Sequence, residues 1–140
     1  MIRILIVILA AAGMVDAALA LRVHYSGETE PCYVNQKWDC GIVNHSTYSE
    51  IGHTPVAGIG VAGYLLLASL AFARRSKWTL GASMMGEAFA LYLTHIERDV
   101  IHMWCLFCVV SLGIMSAILL LSVVYLLAMR NVVKTTAHGR

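Results

Sequence analysis

The sequence predicts an all-α membrane protein built as a bundle of four transmembrane helices. Hydrophobic residues make up 59% of the 140 residues and charged residues only 13%, whereas a soluble domain carries about 25% charged residues. The apolar residues gather into four long stretches, and about 20 such residues suffice to cross a bilayer as a helix. This composition excludes a water-soluble globule, a disordered tail and a nucleic-acid-binding protein. The length predicts one domain over residues 1–140.

The four predicted spans are expected to be helical, because a backbone in hydrocarbon must satisfy its own hydrogen bonds. The second and fourth stretches contain no Asp, Glu, Lys or Arg, the first contains Arg3 and Asp16, and the third contains Glu87. The spans cover about residues 2–21, 56–73, 78–96 and 102–129.

The first stretch also has features of a cleaved signal peptide. It begins with a basic residue, Arg3, and residues 17–20 resemble a small-residue cleavage site. However, Asp16 falls late in the run and the run is long for a signal peptide. A retained helix is therefore the favoured interpretation.

The lysine and arginine residues predict the orientation, because they are enriched in cytoplasmic loops. With four spans, one side carries Arg3, Arg74, Arg75, Lys77, Arg130, Lys134 and Arg140, and the other carries Arg22, Lys37 and Arg98. This split predicts that both termini are cytoplasmic and that the protein lies in the inner membrane. The long segment 22–55 then lies on the outer side, in the periplasm or exterior, where we expect it to cover the bundle as a lid.

All four cysteines map to the predicted outer side, where disulfides persist. Cys32 and Cys40 lie in the long outer segment, and Cys105 and Cys108 lie near the outer start of the last helix. A spacing of three residues puts the latter two sulfurs on one helix face. A helix N-terminus stabilises a nearby thiolate, which is the attacking species in thiol–disulfide exchange. The pattern therefore favours redox chemistry.

Other readings of the cysteines remain open on the residues alone. Two structural disulfides in a non-catalytic membrane subunit would use the same four residues. A four-cysteine zinc site is less favoured because the spacing between Cys32 and Cys40 is unusual for zinc, so no metal is predicted. A c-type haem would need His directly after the Cys-x-x-Cys, and Val109 stands there.

Three motifs point to a known family. They are residues 40–48 (CGIVNHSTY), residues 92–97 (YLTHIE) and residues 104–108 (WCLFC). A spaced cysteine pair before a Cys-x-x-Cys at the last helix resembles vitamin K epoxide reductase and its bacterial homologues, which are quinone-linked enzymes of disulfide formation. A second type of quinone-linked thiol oxidase with four helices carries its cysteine pairs in the reverse order and is disfavoured.

The resemblance implies a role for each cysteine. Cys32 exchanges with the thiols of a partner protein, and Cys40 passes electrons by a transient disulfide with Cys105. Cys108 lies against the quinone and reduces it, and Ser46 matches a serine near the family's active site. Two aromatic side chains next to the Cys-x-x-Cys, Trp104 and Phe107, are expected to line the quinone pocket.

The chain also departs from the animal enzymes of this family. Leu112, expected at the quinone, stands where they carry a tyrosine, and neither Asn35 nor Asn44 takes the position of their pocket asparagine. These differences disfavour epoxide reduction and favour a respiratory quinone, menaquinone or ubiquinone, although a vitamin K-type naphthoquinone also fits. Many bacterial members carry a fused thioredoxin-like domain, which residues 1–140 do not contain. The expected partner is therefore a separate thioredoxin-like protein on the outer side.

Asp16 is the remaining candidate for a contact with the quinone. An ionised carboxylate within a span is costly, so this residue either touches the quinone or takes up a proton, or else is a hydrogen-bonded packing residue. The protein is expected to be a monomer surrounded by membrane lipid, with no nucleic-acid partner.

Overall fold

The computed structural model describes residues 1–26, 35 and 37–138, and almost all of them are helical or in short turns. Four long helices dominate the described residues, with one short helix and one small hairpin between the first two. In chain order the helices are α1 (Ile2–Ser26), α2 (Cys40–Asn44), α3 (Val56–Phe72), α4 (Ser76–Ile96) and α5 (Leu106–His138). The hairpin pairs β1 (Glu50–Ile51) with β2 (Thr54–Pro55) in antiparallel fashion.

The four long helices pack in a closed ring. Helix α1 contacts α3 and α5, and α4 contacts the same two helices. Two of the four, α1 and most of α5, are long and apolar enough to cross a membrane, whereas α3 is apolar but shorter. The helical bundle is therefore present, and the number of membrane spans stays a prediction.

A face of small residues on α1 lets the neighbouring helices approach closely. Ala10, Gly13, Ala17 and Ala20 recur at helical spacing and are buried, which is typical of close packing between membrane helices. A Cβ atom at Gly13 would collide with the ring of Tyr64 on α3. The missing side chain is therefore what allows the Tyr64 ring to lie against α1.

The segment between α1 and α3 contains more regular structure than the predicted loop over residues 22–55. Helix α1 continues to Ser26, and α2 begins after Asp39, whose Oδ1 accepts the Ile42 N–H at 3.1 Å. This is a normal N-cap interaction, because the first N–H groups of a helix lack internal partners. The turn between β1 and β2 uses Gly52 and His53 at positive φ.

The helix at the predicted fourth span, about residues 102–129, begins later and extends further than those bounds. A π-helical turn, Glu97–Ile101, continues α4, and His102 then adopts a left-handed conformation that ends the helix. The chain then pairs with the residues before α2. The Trp104 N–H donates to the Lys37 carbonyl at 2.8 Å, and the Trp104 carbonyl accepts the Asp39 N–H at 3.2 Å. Helix α5 therefore begins only at Leu106 and continues to His138.

Candidate active site

A cavity of about 400 Å³ opens between α1, α3, α4 and the start of α5. Its wall is mainly apolar, and volumes of 300–1,000 Å³ with a few polar groups are typical of sites for small organic ligands. Residues 43–49, in α2 and the turn after it, contribute part of this wall. The polar and thiol side chains on it belong to Asp16, Asn44, Ser46, Tyr48, Ser49, Tyr64, Glu97, Cys108 and Ser111.

The cysteines of the described residues lie together at one side of this cavity. Cys40 and Cys105 are fully buried in one cluster with Val43, and Cys108 packs against that cluster while lining the cavity. Cys105 and Cys108 are free thiols, whereas Cys40 is disulfide-bonded. Cys32 falls outside the described residues, and its role stays a prediction.

The start of α5 brings the two free thiols close to each other. The carbonyl of Cys105 accepts the N–H of Val109, so Cys105 stands at the helix start and Cys108 in its first turn. Their sulfurs lie within 4.8 Å of each other and of a Glu97 carboxylate oxygen. The two sulfurs are thus close together at the start of α5, as the three-residue spacing predicts.

Glu97 is a buried acid beside these thiols, with only 2% of its surface exposed. Its Oε2 accepts the Cys105 N–H at 3.1 Å, and its Oε1 has no hydrogen-bond partner among the described residues. Burial raises the pKa of the Glu97 carboxyl above its ordinary value, and the neighbouring Cys108 thiol and Cys105 N–H act against that rise. Sequence reasoning gave Glu97 no role.

Asn44 lies in the cavity wall, although the sequence had suggested no function for it. Its Nδ2 donates to the Cys40 carbonyl at 2.9 Å and to the Cys105 sulfur at 3.8 Å. The backbone carbonyl of Asn44 lies 2.6 Å from Nδ1 of His24, and Nε2 of the same ring lies 3.2 Å from Glu50 Oε1. Asn44 therefore connects α1, α2 and the start of α5.

Of the two aromatic residues expected in the pocket, only Phe107 lines the cavity. Trp104 is not among its lining residues and stacks instead on Trp38, with ring centroids 6.1 Å apart. Trp104 precedes the helix, and its backbone is hydrogen-bonded to residues 37 and 39. Leu112 is likewise absent from the lining, and Ser46 is present, with its hydroxyl donating to the Val43 carbonyl at 2.8 Å.

Polar groups from α1, α3 and α5 also line this cavity. The Tyr64 hydroxyl donates to the Ser111 carbonyl at 3.0 Å and lies 2.7 Å from Ser111 Oγ. Asp16 also lines the cavity, and its Oδ2 is buried without a hydrogen-bond partner among the described residues. Glu87 lies outside the lining, where it accepts the Ser116 hydroxyl at 2.8 Å.

The donor set at the thiols favours redox exchange over a structural zinc site. Structural zinc takes four protein ligands, and the described residues offer three groups here, on Glu97, Cys105 and Cys108. Cys40 is already in a disulfide and cannot add a thiolate.

A comparison with protein families agrees with this geometry. The model of the vitamin K epoxide reductase family matches residues 4–123. The chain belongs to the vitamin K epoxide reductase family. In a separate comparison, no curated protein matches the chain.

Membership of the vitamin K epoxide reductase family confirms the resemblance expected from the cysteine motifs. It makes the chain an oxidoreductase with thiol chemistry, in a family that is generally quinone-linked, and with its two apolar helices it fits a membrane protein. The match covers all four cysteines and every residue of the described cavity wall.

Sequence signals for the two missed residues were present but weak. Asn44 stands four residues after Cys40, which places both on one face of a helix. Glu97 is the last residue of the 92–97 motif, eight residues before Cys105. Only the turn at residues 97–101 folds it back onto the thiols.

Proposed function

We propose that this protein is a quinone-dependent thiol oxidoreductase that supports disulfide bond formation. It would oxidise a separate thioredoxin-like protein and pass two electrons through Cys32 and Cys40 to Cys105 and Cys108, and then to a membrane quinone. The observation that carries the proposal is the position of Cys108: a free thiol in the wall of an apolar cavity, next to a buried cluster that contains both Cys40 and Cys105.

The pairing of the cysteines in the structure suits this order of steps. The proposed disulfide between Cys32 and Cys40 would accept electrons from the dithiol of the partner. Cys105 and Cys108, both free, would give two electrons and two protons to the quinone as they form their own disulfide. The reduced loop pair would then restore these two thiols by exchange through Cys40 and Cys105, which share the donor Asn44.

The cavity residues fit a quinone ring by their chemistry. A quinone is a flat apolar ring with two carbonyl oxygens, and the cavity combines apolar walls with a few polar side chains. Phe107 supplies a flat apolar surface, while Asn44 and Ser46 supply groups for orientation. Asp16 is proposed as a further polar contact, because a buried carboxyl oxygen without a partner is costly and its neutral form can donate to a carbonyl.

The proposed topology follows from the charge distribution and the apolar helices. Four spans in the inner membrane, with both termini cytoplasmic, would place the cysteines at the periplasmic or exterior side. The segment 22–55 would cover the site there, and the protein would act as a monomer in lipid.

The decisive experiment mixes the purified protein with a reduced thioredoxin-like dithiol and a quinone, and follows quinol by absorbance. We expect Cys108→Ala to abolish quinol formation, while exchange at the Cys40 disulfide persists, because the sulfur nearest the cavity is missing. The control is Val110→Ala. The Val110 side chain on α5 is 41% exposed, so this variant should remain active. Undiminished quinol formation in Cys108→Ala would refute the assignment. A Cys40 disulfide that does not exchange with any dithiol would instead favour a non-catalytic subunit.

A further inference from the structure

The burial of Glu97 costs free energy that the proposed function does not explain. Its carboxylate is almost fully buried, and Oε1 has no hydrogen-bond partner among the described residues. A buried charged group with an unsatisfied oxygen is expensive, and such groups in folded proteins call for a physical explanation. Nothing in the proposed electron path uses this carboxylate.

The position of Glu97 supplies the explanation. Its oxygen lies within 4.8 Å of the sulfurs of Cys105 and Cys108, and the side chain also lines the cavity. Glu97 therefore lies next to the two thiols that lose protons and also borders the cavity in which the oxidant would bind. The π-helical turn Glu97–Ile101 creates this placement, and such turns occur frequently at functional sites.

We propose, building on the proposed function, that Glu97 accepts the proton of the Cys108 thiol and delivers it to the quinone in the cavity. Oxidation of Cys105 and Cys108 breaks two S–H bonds, forms one S–S bond and releases two electrons and two protons. The quinone takes up both electrons and both protons to become quinol. Glu97 carries one of these protons and is returned as a carboxylate, and the other comes from the Cys105 thiol.

Electrostatics favours this route. Among the His, Cys, Asp and Glu side chains of the described residues, the groups clustered with Glu97 are the two thiols, and Cys40 is in a disulfide. Moving a proton from Cys108 to Glu97 keeps one negative charge in the buried site, whereas releasing it to water would leave two adjacent anions.

The first test measures this coupling without any quinone. In a Cys105→Ala background, the alkylation rate of the free thiol Cys108 is followed against pH, with and without Glu97→Gln. Because a like charge is removed, we expect the midpoint for alkylation to fall by about one pH unit or more. Asp99→Asn, the same chemical change on an exposed residue of the same turn, should leave the midpoint unchanged.

The second test measures quinol formation in the otherwise unaltered protein. We expect Glu97→Gln to slow it by about 100-fold or more, in the range of general acid–base catalysis, although the same change makes the thiol easier to alkylate. In the unsubstituted protein the rate should fall as the pH drops through the raised pKa of Glu97, and Glu97→Gln should lack this dependence. A purely structural role would not move alkylation and quinol formation in opposite directions.

The outcomes separate this proposal from the proposed function. An unmoved alkylation midpoint, or quinol formation at the original rate in Glu97→Gln, would overturn the role of Glu97 and leave quinone reduction standing. Lack of quinol formation by the unsubstituted protein would overturn the proposed function, and with it the delivery step. If Glu97→Gln does not fold, Glu97→Asp keeps the carboxylate on a shorter side chain and should retain the midpoint with slower quinol formation.

Discussion

Replacing Gly13 with alanine should destabilise the bundle by overpacking, although alanine is the better helix former. The added Cβ would collide with the Tyr64 ring. The ring cannot move away easily, because Tyr64 is only 2% exposed and its hydroxyl is hydrogen-bonded to Ser111. Inserting a methyl group into a well-packed core costs about 1–3 kcal/mol. We therefore expect the free energy of unfolding to fall by about 2 kcal/mol.

The assay is a denaturant titration of the protein in mild detergent, with Gly113→Ala as the matched control. Gly113 lies on the exposed side of α5, and a Cβ there meets nothing within 4 Å, so that variant should be neutral or slightly stabilised. Tyr64→Ala should largely remove the penalty of Gly13→Ala, with a coupling free energy of about 1–3 kcal/mol in the double-mutant cycle. Additive effects, or equal stability of the two glycine variants, would refute the packing argument.

Two further predictions concern the contacts that hold the segment over the thiols. Asn44→Ala should lower the free energy of unfolding by about 1–3 kcal/mol, because it removes the buried donor to Cys105. It should also slow thiol–disulfide exchange between the two cysteine pairs, measured by stopped flow. The control is Ile42→Ala, on the exposed side of α2. Trp38→Ala should remove a ring stack on Trp104 worth about 0.5–1.5 kcal/mol and speed hydrogen exchange at the Trp104 amide by about two- to tenfold. Unchanged exchange there would show that the stack does not hold the segment.

The cysteine chemistry was readable from the sequence because it depends on local spacing and on residue type. Cys105 and Cys108 are three residues apart at a helix start, and any helix beginning there brings their sulfurs together. Membership of the vitamin K epoxide reductase family bears out this part of the interpretation. The quinone and the partner stay predictions, since they depend on molecules outside this chain.

The roles of neighbouring aromatic residues show where sequence reasoning stops. Trp104 and Phe107 flank Cys105, and adjacency suggested one common pocket for both. The structure separates them. His102, in the left-handed conformation, ends the preceding helix, and the backbone of Trp104 then pairs with residues 37–39, which are far away in sequence. Side-chain direction depends on whether the backbone is extended or helical at that residue, and here a distant segment decides it.

Composition and apolar run length suffice to specify a helical protein for a lipid environment, since hydrophobicity and the need for internal hydrogen bonding act residue by residue. They cannot specify the cavity, because its wall requires residues from four helices to converge. Asn44 and Glu97 acquire their neighbours only in the folded chain. Asn44, at the end of α2, reaches Cys105 from 61 residues away, and Glu97, in the π-helical turn, reaches it from eight residues away.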